Sequence, residues 1–260
     1  MPTVGDFTTG GNSHTAMSPS ETPSGVEKNW LLRALPADQY AQLAASCEPV
    51  QLATGQSLWE AGAIIHSLYF PRTCVLSMLT PLADEPPVEA ATVGREGMLG
   101  TPVVLGVRVT NALAIVQIPG TALRLDADRF VDLAKRSDGA LLPLLLRYTQ
   151  ALQEQTAQSV ACNRRHTVDE RCARWLLMTH DRVGSEQFRL TQDFLAFMLG
   201  VRRASVTVAA GMLQQTGLIR YQRGRIVILD RSRLEEASCE CYAVVRRSYD
   251  RLLRTEAFAD

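Results

Sequence analysis

The chain has 260 residues, with 27 Lys/Arg against 27 Asp/Glu, so any strongly charged site must be a local concentration. That length suffices for two domains with their own cores. No run approaches the roughly 18 apolar residues of a membrane helix, and no basic-then-apolar leader marks secretion. A cytoplasmic protein with reduced thiols is therefore expected, with no membrane partner. The charge is unevenly placed. Residues 1–160 carry ten Lys/Arg and fifteen Asp/Glu, and residues 161–260 carry seventeen and twelve. DNA would repel the first part and attract the second, which suggests a sensing half joined to a binding half.

Residues 1–26 are rich in Gly, Ser, Thr and Pro and read as a disordered tail, because they cannot bury enough surface to offset ordering entropy. A sensor domain is expected over residues 27–138. It opens with a helix over 30–45 carrying Leu31, Leu32, Leu35, Tyr40 and Leu43, broken near its middle by Pro36. From Pro49 to Leu125, short Val/Leu/Ile/Tyr stretches alternate with turn residues, the pattern of an antiparallel barrel or jelly roll. Residues 64–79 read as a strand pair around Pro71-Arg72, and residues 88–93, 111–118 and 122–125 as further strands. Residues 94–100, Gly-Arg-Glu-Gly-Met-Leu-Gly, form a glycine-rich bend.

Asp126 opens a helix. A longer one follows over residues 139–163, where Leu141, Leu145, Tyr148, Leu152 and Gln155 fall on one seam at coiled-coil spacing. That seam is assigned to dimerisation. Residues 163–166 interrupt the pattern and read as a hinge. Thr167 and Glu170 then form a capping box that starts the next domain, residues 164–236. Within it, Thr191 caps a helix with Leu195, Met198 and Leu199 on one face. Gly200 supplies the corner. A second helix over 202–215 turns Val206, Ala209, Ala210 and Leu213 inward, and two strands meet at Gln222-Arg223-Gly224 as a hairpin. Residues 189–233 hold eight arginines against two acids. A basic stripe over a helix and a wing is the electrostatic footprint of DNA binding, and the module reads as a winged helix-turn-helix. Residues 237–260 form a helical extension with Tyr242, Val245, Tyr249 and Leu252 on one stripe. Phe194 and Phe197 lie beside the usual core stripe, so either this extension or the sensor domain must cover them.

The six cysteines, 47, 74, 162, 172, 239 and 241, include no C-x-x-C pair, so no closed zinc site is expected. One residue between Cys239 and Cys241 is awkward for a relaxed disulfide, which makes them ordinary thiols. His66 and Cys74 read as packing residues rather than haem ligands. No cofactor is assigned.

The α+β order of β-roll, long helix and winged module, with residues 94–100 and Leu199-Gly200-Val201-Arg202-Arg203, resembles the cyclic-AMP receptor/Fnr (Crp/Fnr) family of bacterial transcription regulators. The resemblance covers roughly residues 30–236. It implies a non-enzymatic homodimer on a two-fold double-stranded DNA site, a small-molecule effector, and RNA polymerase as a partner. Arg203 matches an arginine that pairs with guanine O6 and N7. The next positions depart from the family, with Ala204 for a glutamate and Val208 for an arginine. Thr191, Gln192, Arg202, Ser205, Thr207, Arg223 and Arg225 complete the expected DNA contacts. The resemblance places the effector pocket at Gly97, Met98, Leu99, Gly100, Arg108, Thr110 and Asn111. Met98 stands where cyclic-nucleotide binders carry a glutamate for the ribose hydroxyl, so the usual cyclic-AMP mode is not expected. The absence of any cysteine before Cys47 argues against an Fnr-type iron–sulfur cluster. Two other readings stay open: a regulatory subunit acting on protein, and a jelly-roll enzyme with a helical domain.

Overall fold

The computed structural model describes residues 29–136 and 139–253. The expected tail over residues 1–26 lies outside them. Pro36 separates two short helices, α1 (Trp30–Arg33) and α2 (Ala37–Ala44). The Asn29 side chain caps α1 by accepting from Leu32 N at 3.0 Å, and donates to Pro71 O and Gly97 O. It thereby ties the chain entry to the glycine bend.

The β-roll comprises β1 (Glu48–Leu52), β2 (Ser57–Trp59), β3 (Ser67–Pro71), β4 (Val75–Thr80), β5 (Val88–Val93), β6 (Leu113–Ile118) and β7 (Gly120–Asp126), with α3 (Thr101–Val104) between β5 and β6. Two antiparallel sheets form, in the orders β1-β7-β3 and β2-β6-β4-β5. The strands around Pro71-Arg72 are therefore not a pair: β3 bonds β7, and β4 bonds β5 and β6. The turn carries the chain from one sheet to the other, so both sheets turn apolar faces toward one core. The glycine bend follows β5 and returns the chain to β3, with Leu99 N donating to Tyr69 O at 2.8 Å.

After α4 (Ala127–Arg136) comes α5 (Leu141–Arg165), which runs past the expected end at residue 163. Asn163, Arg164 and Arg165 lose the apolar pattern because they are exposed, not because the helix ends. The break narrows to His166, whose extended backbone precedes the observed Thr167–Glu170 capping box of α6 (Val168–Val183). Then follow β8 (Gln187–Arg189), α7 (Gln192–Leu199), α8 (Arg203–Gln215), β9 (Ile219–Gln222), β10 (Arg225–Ile228), α9 (Arg231–Ala237) and α10 (Cys241–Leu253). The sequence pattern gave no sign of β8, which completes the wing as a three-stranded sheet ordered β8-β10-β9.

One continuous apolar core runs from Leu31 through the roll and α5 to the C-terminal module. α10 lies along α5 with Tyr242, Val245 and Tyr249 buried; the Leu252 side chain is outside the described set. Tyr249 Oη donates to Gln155 Oε1 at 3.1 Å. Phe194 and Phe197 are buried, and the sensor domain covers them, since α7 packs on β5. Among the described residues no single helix is long and apolar enough to cross a membrane.

Candidate nucleic-acid interface

The local chemistry of α7 and α8 fixes their geometry. Thr191 Oγ1 accepts from Phe194 N at 3.2 Å, satisfying a first-turn donor. Gly200 ends α7 with φ +63°, a value costly for a residue with a Cβ. The two helices meet at a bend of 107°, within the range of helix-turn-helix pairs. All six residues 194–199 are buried, as are Val206, Ala209, Ala210 and Leu213 on α8. With its inner face buried in this way, α8 presents Arg203, Ala204, Thr207, Val208 and Met212 to solvent.

The expected DNA contacts lie on this face and its borders. Arg202 is the exposed N-cap residue of α8, and Arg203 follows, its side chain 64% exposed and 3.3 Å from Asp193. Gln192 and Thr207 are joined by a 2.9 Å hydrogen bond across the two helices. Ser205 is half-buried. On the wing, β9 and β10 pair with Arg225 opposite Gln222. Arg223 and Gly224 both have positive φ, 51° and 71°, the backbone of a two-residue hairpin turn whose twist matches the strands. Leu190 N donates to Gly224 O at 2.8 Å, and Tyr221 Oη donates to Leu190 O, fixing the wing beside the start of α7.

The β-roll reaches both ends of this surface. The β4–β5 loop, with Leu82, Glu85, Pro86 and Pro87, shares a cleft with Arg202, Arg203 and Ser205. Thr54 and Gln117 share another with Thr191, Arg223 and Arg225. Between them, polar groups bridge the two modules. Arg182 Nε donates to Glu96 Oε1 at 2.7 Å, both side chains being 6% exposed. Arg182 also donates to Gln155 Oε1 and Met178 O. Trp175 Nε1 donates to Glu89 Oε2 at 3.0 Å, and Gln117 Nε2 to Thr179 Oγ1 at 3.2 Å. Desolvation pushes the inward-turned Glu89 carboxyl up to about 7, against the lowering effect of hydrogen bonds from Ser77 and Trp175.

Comparison with known proteins matches residues 170–237 to the Crp-like helix-turn-helix domain. The C-terminal module is thus a Crp-like helix-turn-helix domain. The fold of the chain is that of FixK2 from Bradyrhizobium japonicum, with 16% identity, a TM-score of 0.57, and coverage of 74% of this chain and 98% of that one. A CRP-family transcriptional regulator from Thermus thermophilus, TTHB099, gives 18%, 0.56, 73% and 96%. CLP, the c-di-GMP responsive global regulator of Xanthomonas campestris, gives 16%, 0.55, 74% and 99%. At these identities the likeness establishes the fold. No curated protein matches the chain.

The glycine-bend positions of the expected effector pocket are packed with protein. Met98 and Leu99 are fully buried. A Cβ on Gly97 would lie 2.1 Å from the Tyr148 ring, and Tyr148 Oη donates to Met98 O at 2.9 Å. Gly100 has φ +118°. Arg108 donates to Ile65 O and pairs with Asp128, while Thr110 Oγ1 accepts from Ala112 N. Asn111 is exposed. Cys74 is fully buried, as expected of a packing residue, with its thiol pushed up to about 12 by desolvation, whereas His66 is exposed rather than packed.

The residues expected on the dimerisation seam are already buried within one chain. Leu141, Leu145, Tyr148, Leu152 and Gln155 are at most 6% exposed within a single protomer. Their surface is taken up by the roll and α10; Gln155 Nε2, for example, donates to Thr92 O. The neighbouring stripe of α5 is the open one. It carries Leu142, Leu146, Gln153, Ala157 and Val160, with Leu146 46% and Val160 68% exposed. Leu105, Val107 and Val109 of the roll extend it.

Proposed function

We propose that this chain is a Crp/Fnr-family transcription regulator that acts as a homodimer and reads a two-fold operator, with the β-roll controlling how the winged modules are presented. The observation that carries the DNA half of this reading is the outward run Arg202-Arg203-Ala204 at the start of α8, bordered by the wing arginines. Arg203 suits bidentate recognition of guanine, and Ala204, Val208 and Met212 offer apolar contacts to thymine methyls. Thr191, Gln192, Thr207, Arg223 and Arg225 suit phosphate contacts, which position the module without reading sequence. The exposed α5 stripe and its extension on the roll suit a second copy of the chain, which would set half-sites about one helical turn apart.

The effector reading departs from the cyclic-AMP mode. Met98 offers no acceptor for a ribose hydroxyl, and Arg108 is already engaged by Asp128. The winged module is docked on the roll through Arg182, Trp175 and Thr179, so an effector that binds the undocked arrangement more tightly would shift the population toward it. RNA polymerase remains the natural partner of such a regulator. The test is selection of bound duplexes from random DNA, followed by anisotropy across a salt series. Phosphate contacts predict a steep fall in affinity with salt. Arg203→Ala should cost about 1–3 kcal/mol and relax preference at one base position. Uniform weakening on every sequence would instead make Arg203 a phosphate contact.

A further inference from the structure

The end of α5 and the start of α10 bring together four side chains that lie far apart in the sequence or lack a familiar spacing. Cys162 lies in the last turn of α5, and His166, four residues on, is the cap residue just beyond it. Cys239 and Cys241 flank the entry to α10. The three thiol sulfurs and one imidazole nitrogen all lie within 4.8 Å of one another. Cys162 Sγ is 3.5 Å from Cys239 Sγ, and Cys241 Sγ is 3.4 Å from His166 Nδ1. We propose that Cys162, His166, Cys239 and Cys241 form a closed Cys3His site for a single soft divalent ion of the zinc class, which fastens the C-terminal extension to the α5–α6 junction.

Three features support this. The first is size. A tetrahedron with metal–sulfur bonds of about 2.3 Å has edges of about 3.8 Å; the observed separations bracket that value. A [4Fe–4S] cluster places each cysteine on its own iron and a [2Fe–2S] cluster divides its ligands between two irons, so either needs a wider cage. The second is environment. The three cysteines are at most 3% exposed and form a cluster of their own, apart from the main apolar core. Simple packing would be served by carbon side chains and gives no reason for an imidazole at the same point. The third is the surrounding shell. His166 Nε2 is 3.2 Å from the Glu240 carboxylate, which directs Nδ1 toward the sulfurs, the arrangement that orients metal-binding histidines. Gln158 Nε2 donates to Cys241 Sγ at 3.0 Å. Four protein ligands leave no open position, so the role is structural rather than catalytic.

The test uses the full chain, purified anaerobically. It should carry about one zinc per chain by elemental analysis, and cobalt replacing the zinc should give thiolate charge-transfer and tetrahedral ligand-field bands. Cys239→Ser should abolish those bands and Cys47→Ser should retain them. The wild-type cobalt spectrum stands alone should the first variant fail to fold. Chelation should speed hydrogen exchange at the start of α10. Loss of the bands in Cys47→Ser, a chain that takes up no zinc or cobalt when reduced, or a Cys162–Cys239 disulfide in the anaerobically purified chain before any reductant is added would each overturn the assignment.

Discussion

Arg182→Met tests whether a buried ion pair joins the two modules. Arg182 reaches from α6 to Glu96 in the glycine bend, and each side chain is 6% exposed. Methionine occupies similar length but removes four donor contacts: to Glu96, to Gln155, to Met178 O and to Thr92 O. The Glu96 carboxylate would keep the Gly94 N–H at 3.1 Å, and its Oε2 has no partner among the described residues. A carboxylate left buried in this way costs about 3–5 kcal/mol. For a chain of this size that is a fall of roughly 10 °C in Tm. The paired variant Glu96→Gln with Arg182→Met removes the orphaned charge and should recover about half of the loss, since an amide is far cheaper to bury than a carboxylate. Urea denaturation of wild type, both single variants and the double variant supplies the cycle. The reasoning is refuted if Arg182→Met costs under about 1 kcal/mol, or if the double variant is no more stable than Arg182→Met alone.

Glu89→Gln should change how stability depends on pH. The native carboxyl, raised to about 7, holds its proton more tightly than the unfolded one, so wild-type stability falls as pH rises from about 4.5 to 7. Full enclosure would make that loss about 3 kcal/mol, and the partial exposure of the residue reduces it to ~2 kcal/mol. Denaturation midpoints of Glu89→Gln should lack this slope; parallel curves would count against the enclosed carboxyl. Leu146→Arg should yield a monomer in analytical ultracentrifugation with unchanged helical circular dichroism, whereas a persistent dimer would remove α5's open stripe from the interface. Ending the chain at Ser238 removes the large buried side chains Tyr242, Val245 and Tyr249 together with the smaller Cys239, Cys241 and Ser248. It should lower stability by several kcal/mol, roughly 2–5 for each large truncation, and expose dye-binding apolar surface; an unshifted melting curve would contradict that packing.

The winged module was the most legible part of the sequence because each local signal agrees with the next. Thr191 as cap, Gly200 at positive φ and the inward stripe of α8 all mark the same boundaries. The long helix was legible as a helix but not in its rotation. Leu141, Leu142, Leu144, Leu145 and Leu146 are apolar nearly all round, so spacing could not say which stripe meets the sheet and which stays open. Only the partners of Tyr148 and Gln155 settle it. The roll's strands were read from turn residues, but sheet membership was not, because a turn such as Pro71-Arg72 looks the same whether it closes a hairpin or crosses between sheets. The thiol–imidazole cluster was invisible for a different reason. Cys162 and Cys239 are 77 positions apart, and neither half has familiar finger spacing. The one local clue was a cysteine four residues before a histidine at a helix end.

The ring of Tyr148 resting on Gly97 fills the place where the proposed effector pocket would open. Any molecule entering there competes with a side chain already bonded to the Met98 carbonyl, so its apparent affinity is its intrinsic affinity scaled by the fraction of chains in which the ring has swung out. Since the ring belongs to α5, its eviction disturbs the helix that packs on both the roll and α10. Occupancy at the bend and the seating of that helix are then two readings of one equilibrium.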